Sequence, residues 1–166
     1  KRFAEAMTAA YSRRKGVDAR VARIFNTYGE RMVPSDGRVV NSFVAQALRG
    51  DPLKVFGDGS QTRSFCHVSD QVAGLIALLE SDYGNPVNIG NPEEVTIADL
   101  ARMVIDTGGS KSSIVHVDLP EKRAGDPGRR CPDIGLARSV LGWEPRISLR
   151  EGLSAMITYF RDHEHF

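Results

Sequence analysis

Apolar residues recur along this chain in two rhythms. Phe3, Met7, Ala10 and Tyr11 fall at helical spacing, as do Val40, Phe43, Val44, Ala47 and Leu48, and then Ile97, Leu100, Ala101 and Val104. These predict helices over residues 1–15, 39–49 and 96–104, and similar patterns predict three more over 69–80, 134–141 and 149–160. Gly16 and Gly50 stand where C-caps belong, Ser69 and Asp70 cap the helix that follows them, and Thr96 caps the next. Between the helices, short β-branched runs at 17–25, 53–56, 63–68, 86–89 and 114–117 predict strands.

The connections are read from turn residues. Residues 57–60, Gly-Asp-Gly-Ser, form a tight turn that makes 53–68 a hairpin-like unit. Residues 26–29 are a loop at a strand's C-terminal edge, where open α/β sheets place ligands. A turn at 34–37 and a polar, Gly- and Arg-rich loop at 122–131 complete the irregular segments, with residues 142–145 separating the last two helices. Strands alternating with helices, and no internal repeat, give an α/β class.

Composition narrows the function classes. The 166 residues suffice for one domain with a core, and 22 Lys and Arg against 21 Asp and Glu leave a net charge of +1, so no global field attracts nucleic acid or an anionic membrane. Any anion site must be local. Basic clusters such as Arg13-Arg14-Lys15 carry no interleaved aromatics, which argues against a nucleic-acid face. Cys66 and Cys131 form no CxxC pair and fit a reducing, cytoplasmic setting; no apolar stretch approaches a bilayer's thickness, and His116, His163 and His165 show no metal-ligand spacing. No glycine-rich dinucleotide loop, Walker loop or nucleophile elbow is present. The first helix lacks a capping residue and no Met or signal pattern precedes it, so the expectation is a piece of a longer protein.

Four ordered stretches carry more. They are Arg23-Ile-Phe-Asn-Thr-Tyr-Gly-Glu-Arg31; Asp36-Gly-Arg-Val-Val40; Leu53-Lys-Val-Phe-Gly-Asp-Gly-Ser-Gln-Thr-Arg-Ser-Phe65 with Val68-Ser-Asp70; and Arg130-Cys-Pro-Asp133 followed by Leu141-Gly-Trp-Glu-Pro145. Together they resemble the C-terminal half of extended short-chain dehydrogenases acting on nucleotide sugars. Within that family the run Asn26-Thr-Tyr-Gly with Asp36-Gly-Arg-Val-Val looks most like UDP-glucuronate decarboxylase, or UDP-xylose synthase. The rivals are dTDP-glucose 4,6-dehydratase and UDP-glucose 4-epimerase, and a non-catalytic UDP-sugar-binding or interaction fragment is the alternative of another class.

The resemblance implies a Rossmann-like NAD-binding fold plus a small α/β substrate region, with its glycine-rich N-terminal half absent from this chain. Residues 1–33 would be the final helix and strand of the dinucleotide-binding domain, and 34–166 mainly the nucleotide-sugar region, with 67–90 returning to the Rossmann sheet. Lys1 falls on the Lys of a Tyr-x-x-x-Lys pair, whose ammonium favours phenolate and also holds the nicotinamide ribose. Asn26 would contact the sugar nucleotide, Thr27 the nicotinamide, and Arg38 both cofactor and substrate. Val40 and Asn41 would touch the nucleotide through backbone, Phe56 and Gly57 would hold the uracil, and Arg63 and Arg130 would grip the diphosphate, for which a planar, always charged guanidinium is suited. Read alone, Asn26 could form an Asx turn, Arg63 could pair with Asp58 or Asp70, and Arg130 could be a solvated loop charge. The implied reaction oxidises sugar C4 with NAD, releases carbon dioxide from the resulting β-keto acid, and returns the hydride. The whole enzyme would be a homodimer, and this chain by itself would be inactive.

Overall fold

The computed structural model describes residues 1–34, 36–120 and 125–163. Ser35 of the expected turn, residues 122–124 of the expected polar loop, and His165 lie outside them. In chain order the elements are α1 (Arg2–Lys15), β1 (Ala22–Ile24), β2 (Thr27–Tyr28), α2 (Val39–Arg49), β3 (Leu53–Phe56), β4 (Thr62–Ser64), β5 (Cys66–His67), α3 (Val68–Glu80), β6 (Val87–Ile89), β7 (Glu94–Thr96), α4 (Ile97–Gly108), β8 (Ile114–Val117), β9 (Arg129–Arg130), α5 (Gly135–Leu141) and α6 (Leu149–Asp162). Strand pairing is mostly parallel: β1 with β6, β2 with β5, β3 with β8 and β4 with β9, while β4 pairs antiparallel with β7. This is an α/β architecture of the Rossmann-like class.

Local chemistry sets the helix ends. Gly16, Gly50, Gly109 and Gly142 take left-handed backbone at the C-caps of α1, α2, α4 and α5, a conformation that costs glycine little. Thr96 Oγ1 accepts the Asp99 backbone N–H at 3.0 Å, and Ser148 with Glu151 closes a reciprocal capping box on α6.

Two hydrophobic clusters organise the molecule. The larger joins α2, α4, α6, β3 and β2 through Phe43, Leu53, Leu100, Leu153, Met156 and Phe160, with Tyr28 and Phe65. The smaller joins β6, α3 and α5 through Ile89, Leu78, Ala137 and Trp143. Each such fully buried side chain contributes about 2 kcal/mol relative to an exposed one. Close approach replaces side-chain bulk where α6 meets β2: a Cβ on Gly152 would collide with the Tyr28 ring and the His67 imidazole.

Several expectations are corrected. The 17–25 strand shrinks to Ala22–Ile24, in register with β6 and flanked by backbone bonds of Val21 to Val87 and Phe25 to Ile89. The 26–29 loop contains β2, whose Tyr28 is 1% exposed. There is no hairpin: β3 pairs with β8 and β4 with β7 and β9, so the Gly57–Gly59 turn hands the chain from one sheet to another rather than folding it back. The 63–68 strand breaks into β4 and β5, which belong to different sheets. His67, not Ser69 or Asp70, is the N-cap of α3 and accepts the Ser69 N–H through Nδ1 at 3.4 Å. Asp70 instead accepts the backbone N–H groups of Arg146 and Ile147 at 3.0 and 2.8 Å. Trp143 is buried and donates Nε1–H to the Asp70 carbonyl at 3.1 Å.

Candidate functional site

The C-terminal ends of β1 and β3, the N-terminus of α2 and the sheet formed by β7, β4 and β9 surround a cleft of roughly 1190 Å³. All the residues singled out from the sequence line it: Lys1, Asn26, Thr27, Arg38, Val40, Asn41, Phe56, Gly57, Arg63 and Arg130. Chain positions from one end of the molecule to the other are thus brought to one cavity.

At one side, Lys1 precedes α1 and faces the β1–β2 junction. Asn26 Nδ2–H donates across to the Ser64 carbonyl at 3.2 Å, and its backbone carbonyl accepts the Cys66 N–H at 2.9 Å. The Thr27 hydroxyl lies 3.1 Å from the Phe25 carbonyl and 3.3 Å from Gln71 Oε1, which orients it from below. Tyr28 points away into the larger core and donates to the Leu149 carbonyl at 3.3 Å. Burial holds its phenol well above the ordinary value, so Tyr28 is a packing residue.

The α2 N-terminus supplies the next wall. Arg38 is its N-cap by backbone conformation, with its N–H donated to Asp36 Oδ1 at 2.9 Å and Nε 3.3 Å from Asp36 Oδ2. Val40 and Asn41 are buried on the first turn. Asn41 Nδ2–H donates to the Val33 carbonyl at 2.9 Å, while its Oδ1 is buried with no hydrogen-bond partner among the described residues. At the end of β3, Gly57 has φ +66° and donates its N–H to Val117 at 2.9 Å, and the Gln61 amide holds the Phe56 carbonyl at 3.0 Å.

Arg63 and Arg130 are direct cross-strand partners on β4 and β9. Paired residues share a sheet face, so both guanidinium groups project toward the cleft. Like charges directly opposite one another destabilise a sheet, and an anion between them removes that cost. Arg63 Nη1–H donates to the Thr62 and Gly128 carbonyls at 2.7 and 3.1 Å, and Arg130 Nη2 lies 3.9 Å from Asp126 Oδ1. Asp58 accepts from the Ser60 N–H and hydroxyl, which pulls its pKa below the ordinary value, and Asp70 holds the α5–α6 connection.

Behind the same sheet stands a group of residues that sequence reasoning missed. Glu94 accepts from Arg129 Nε at 3.0 Å and Nη2 at 2.6 Å, and from the Thr62 hydroxyl at 2.7 Å. The Arg129 guanidinium first, then Thr62, hold the Glu94 carboxyl below its usual range. No spacing rule links positions 94 and 129, so only the sheet register reveals the pair. Gln71 was missed because only the packing of α3 against β2 brings it to Thr27. Both thiols are unpaired, and burial pushes Cys66 up to about 12, which makes it inert. Among the described residues no three His, Cys, Asp or Glu side chains gather as metal ligands would, and no helix is long and apolar enough to cross a membrane.

Residues 1–156 match the family model described as GDP-mannose 4,6 dehydratase. The chain belongs to this family. Among curated members, UDP-glucuronic acid decarboxylase 1 of Danio rerio is 51% identical over 166 residues, covering 99% of this chain and 39% of that protein. UDP-glucuronic acid decarboxylase 6 of Arabidopsis thaliana is 51% identical over 161 residues, covering 97% of this chain and 46% of that protein. The chain therefore spans less than half the length of these relatives. Among solved structures, UDP-glucose 4-epimerase of Thermotoga maritima with UDP-glucose superposes with a TM-score of 0.93 at 30% identity, covering 99% of this chain and 52% of that one. UDP-glucuronic acid 4-epimerase of Bacillus cereus, in complex with UDP-glucuronic acid and NAD, gives 0.84 at 29% identity, over 96% and 50%. The family membership expected from the four motifs is thus established, and with it a fold shared with epimerases and dehydratases of nucleotide sugars.

Proposed function

We propose that this chain is the nucleotide-sugar-binding part of an NAD-dependent UDP-glucuronate decarboxylase, the lyase that makes UDP-xylose, and that it is inactive by itself. The observation that carries the substrate class is the in-register apposition of Arg63 and Arg130 over one cleft, a local double cation in a chain of net charge +1. It suits a diphosphate, whose oxygens accept from planar guanidinium forks. The 51% identity to proteins named UDP-glucuronic acid decarboxylase favours this reaction over the dehydratase and epimerase readings.

In this reading Phe56 and Gly57 hold the uracil at the end of β3, Val40 and Asn41 present backbone to the nucleotide from α2, and Arg63 with Arg130 closes on the diphosphate. The unpartnered Asn41 Oδ1 is an acceptor available to a donor on the ligand. Asn26, held by the Ser64 carbonyl, faces the sugar. Lys1, Thr27 and Arg38 line the same cleft and fit the nicotinamide end of NAD: an ammonium and a hydroxyl for the ribose and amide, and a guanidinium beside both ligands. When bound, NAD supplies a reversible hydride acceptor. Residues 1–33, with 67–90, then belong to the dinucleotide-binding domain, and the remainder to the sugar-nucleotide region. The exposed Phe3, Met7 and Tyr11 of α1 favour a homodimer of the whole enzyme, and two unpaired thiols favour the cytoplasm.

Isothermal titration with UDP, UDP-glucuronate and UDP-glucose tests this reading. UDP should bind, Arg63→Ala and Arg130→Ala should each abolish binding, and the glucuronate should be preferred. Retention of UDP affinity in both variants would remove the diphosphate clamp, and turnover of UDP-glucuronate by this chain would refute its inactivity.

A further inference from the structure

The β7-β4-β9 sheet has two faces, and strand alternation sorts its side chains between them. Arg63, Val95 and Arg130 share register on the face that bounds the cleft, where both arginines are lining residues. Glu94, Thr62 and Arg129 fall on the opposite face and do not line it. β9 is only two residues long, and both of its residues are exposed. Backbone pairing of that length holds a strand weakly, and the apposed charges of Arg63 and Arg130 work against it.

Asp126, 3.9 Å from Arg130 Nη2, meets that repulsion from the cleft side, and a second support lies behind the sheet. Glu94 receives two donors of the Arg129 guanidinium and the Thr62 hydroxyl, so one carboxylate spans all three strands. A charge-assisted contact of fork geometry is the strong kind of ion pair, and here it closes on the residue adjacent to Arg130. We propose that Glu94 is a positioning residue for anion binding in the cleft: acting through Arg129, it pins β9 to β4 and so sets where Arg130 stands against Arg63. The inference rests on reading Arg63 and Arg130 as the diphosphate clamp. Glu94 does so without touching the ligand, from the far side of the sheet.

The test combines amide hydrogen exchange at residues 128–131, measured without ligand, with calorimetric titration of UDP. Glu94→Gln and Arg129→Gln should each speed exchange at β9 and weaken UDP binding about 3- to 10-fold, the range expected for losing a charge-assisted pair that acts indirectly. The exchanged pair, Glu94→Arg with Arg129→Glu, should restore a large part of both. Two single variants are used so that a folding defect in one, seen by circular dichroism, leaves the other to decide. Unchanged exchange in both, or faster exchange with wild-type UDP affinity, would overturn the inference while Arg63→Ala still abolished binding. If the unsubstituted chain bound no UDP, the reading of the clamp itself would fail, and the inference with it.

Discussion

Helices α1 and α2 carry the same kind of apolar stripe, yet they end in opposite environments. On α2, Val40, Phe43, Val44 and Ala47 are all buried, packed against α4, α6 and β3. On α1, Phe3 is 77% exposed and Tyr11 57%, and no residue of the helix is buried. Helix α3 sits between these extremes: Leu78 is buried against β6, while Val72, Ile76 and Leu79 face outward, the last at 72% exposure. A hydrophobic stripe therefore records that a face needs a partner, and only the three-dimensional arrangement says whether this chain supplies it. For α2 it does. For α1 the described residues leave the stripe uncovered.

The comparison breaks first on core truncations. Leu100→Ala and Phe160→Ala, both fully buried in the larger cluster, should each cost about 3–5 kcal/mol in urea denaturation. Phe3→Ala and Tyr11→Ala should stay within about 0.5 kcal/mol, as surface changes do, and should reduce any concentration-dependent association. Equal losses at both sites would mean that α1 packs in solution in a way this fold does not contain.

A middle-sized effect sits where the two clusters meet. Asp70 accepts two backbone N–H groups from the α5–α6 connection, and Asp70→Ala would orphan both, at about 1–3 kcal/mol. Near-ultraviolet circular dichroism of the lone Trp143, whose indole bonds to the Asp70 carbonyl, would report the loosening. An unaltered Trp143 signal together with unaltered stability would show that water replaces the carboxylate without loss.

The smallest effect is acid-dependent. Ser148 hydrogen bonds hold the Glu151 carboxyl below its ordinary value of 4.5. A depressed folded value means that the stabilisation is complete above 4.5 and is lost as pH falls through the folded value. Ser148→Ala should cost about 1 kcal/mol at neutral pH. It should also flatten the decline of melting temperature below pH 5 relative to the unsubstituted chain; parallel declines would deny the capping box its role.

The periodic helices were legible because each buries or presents a continuous stripe; α2 and α6 lie close to their expected bounds, while α4 runs a turn beyond the expected end at Val104, to Gly108. The strands were harder. β2, β5 and β9 are two residues long, too short to display alternation, and Arg129-Arg130 reads locally as a solvated loop. The hairpin misreading has the same source: Gly-Asp-Gly-Ser has turn chemistry, but the partner of β3 is chosen by β8, far along the chain. Most of the cleft residues were found because they sit inside a recognisable motif, while Lys1 and Asn41 were placed only by the family resemblance. Glu94 and Gln71 sit inside none: sheet register brings Glu94 to Arg129, and the packing of α3 against β2 brings Gln71 to Thr27.

The parallel pairings carry a consequence for how this molecule is made. Ala22 must wait for Val87, Leu53 for Ile114, and Thr62 for Arg129 before any of these ladders can close. Such distant partners impose a large loop-closure cost before any contact compensates for it, which slows the search for the native state. During synthesis β1 leaves the ribosome unpaired and stays so until β6, whose Val87 is 65 positions after Ala22, has followed. The edges that later enclose the cleft are, for that interval, open templates for other chains, and the polypeptide's dependence on chaperones should rise with every delay in translating its second half.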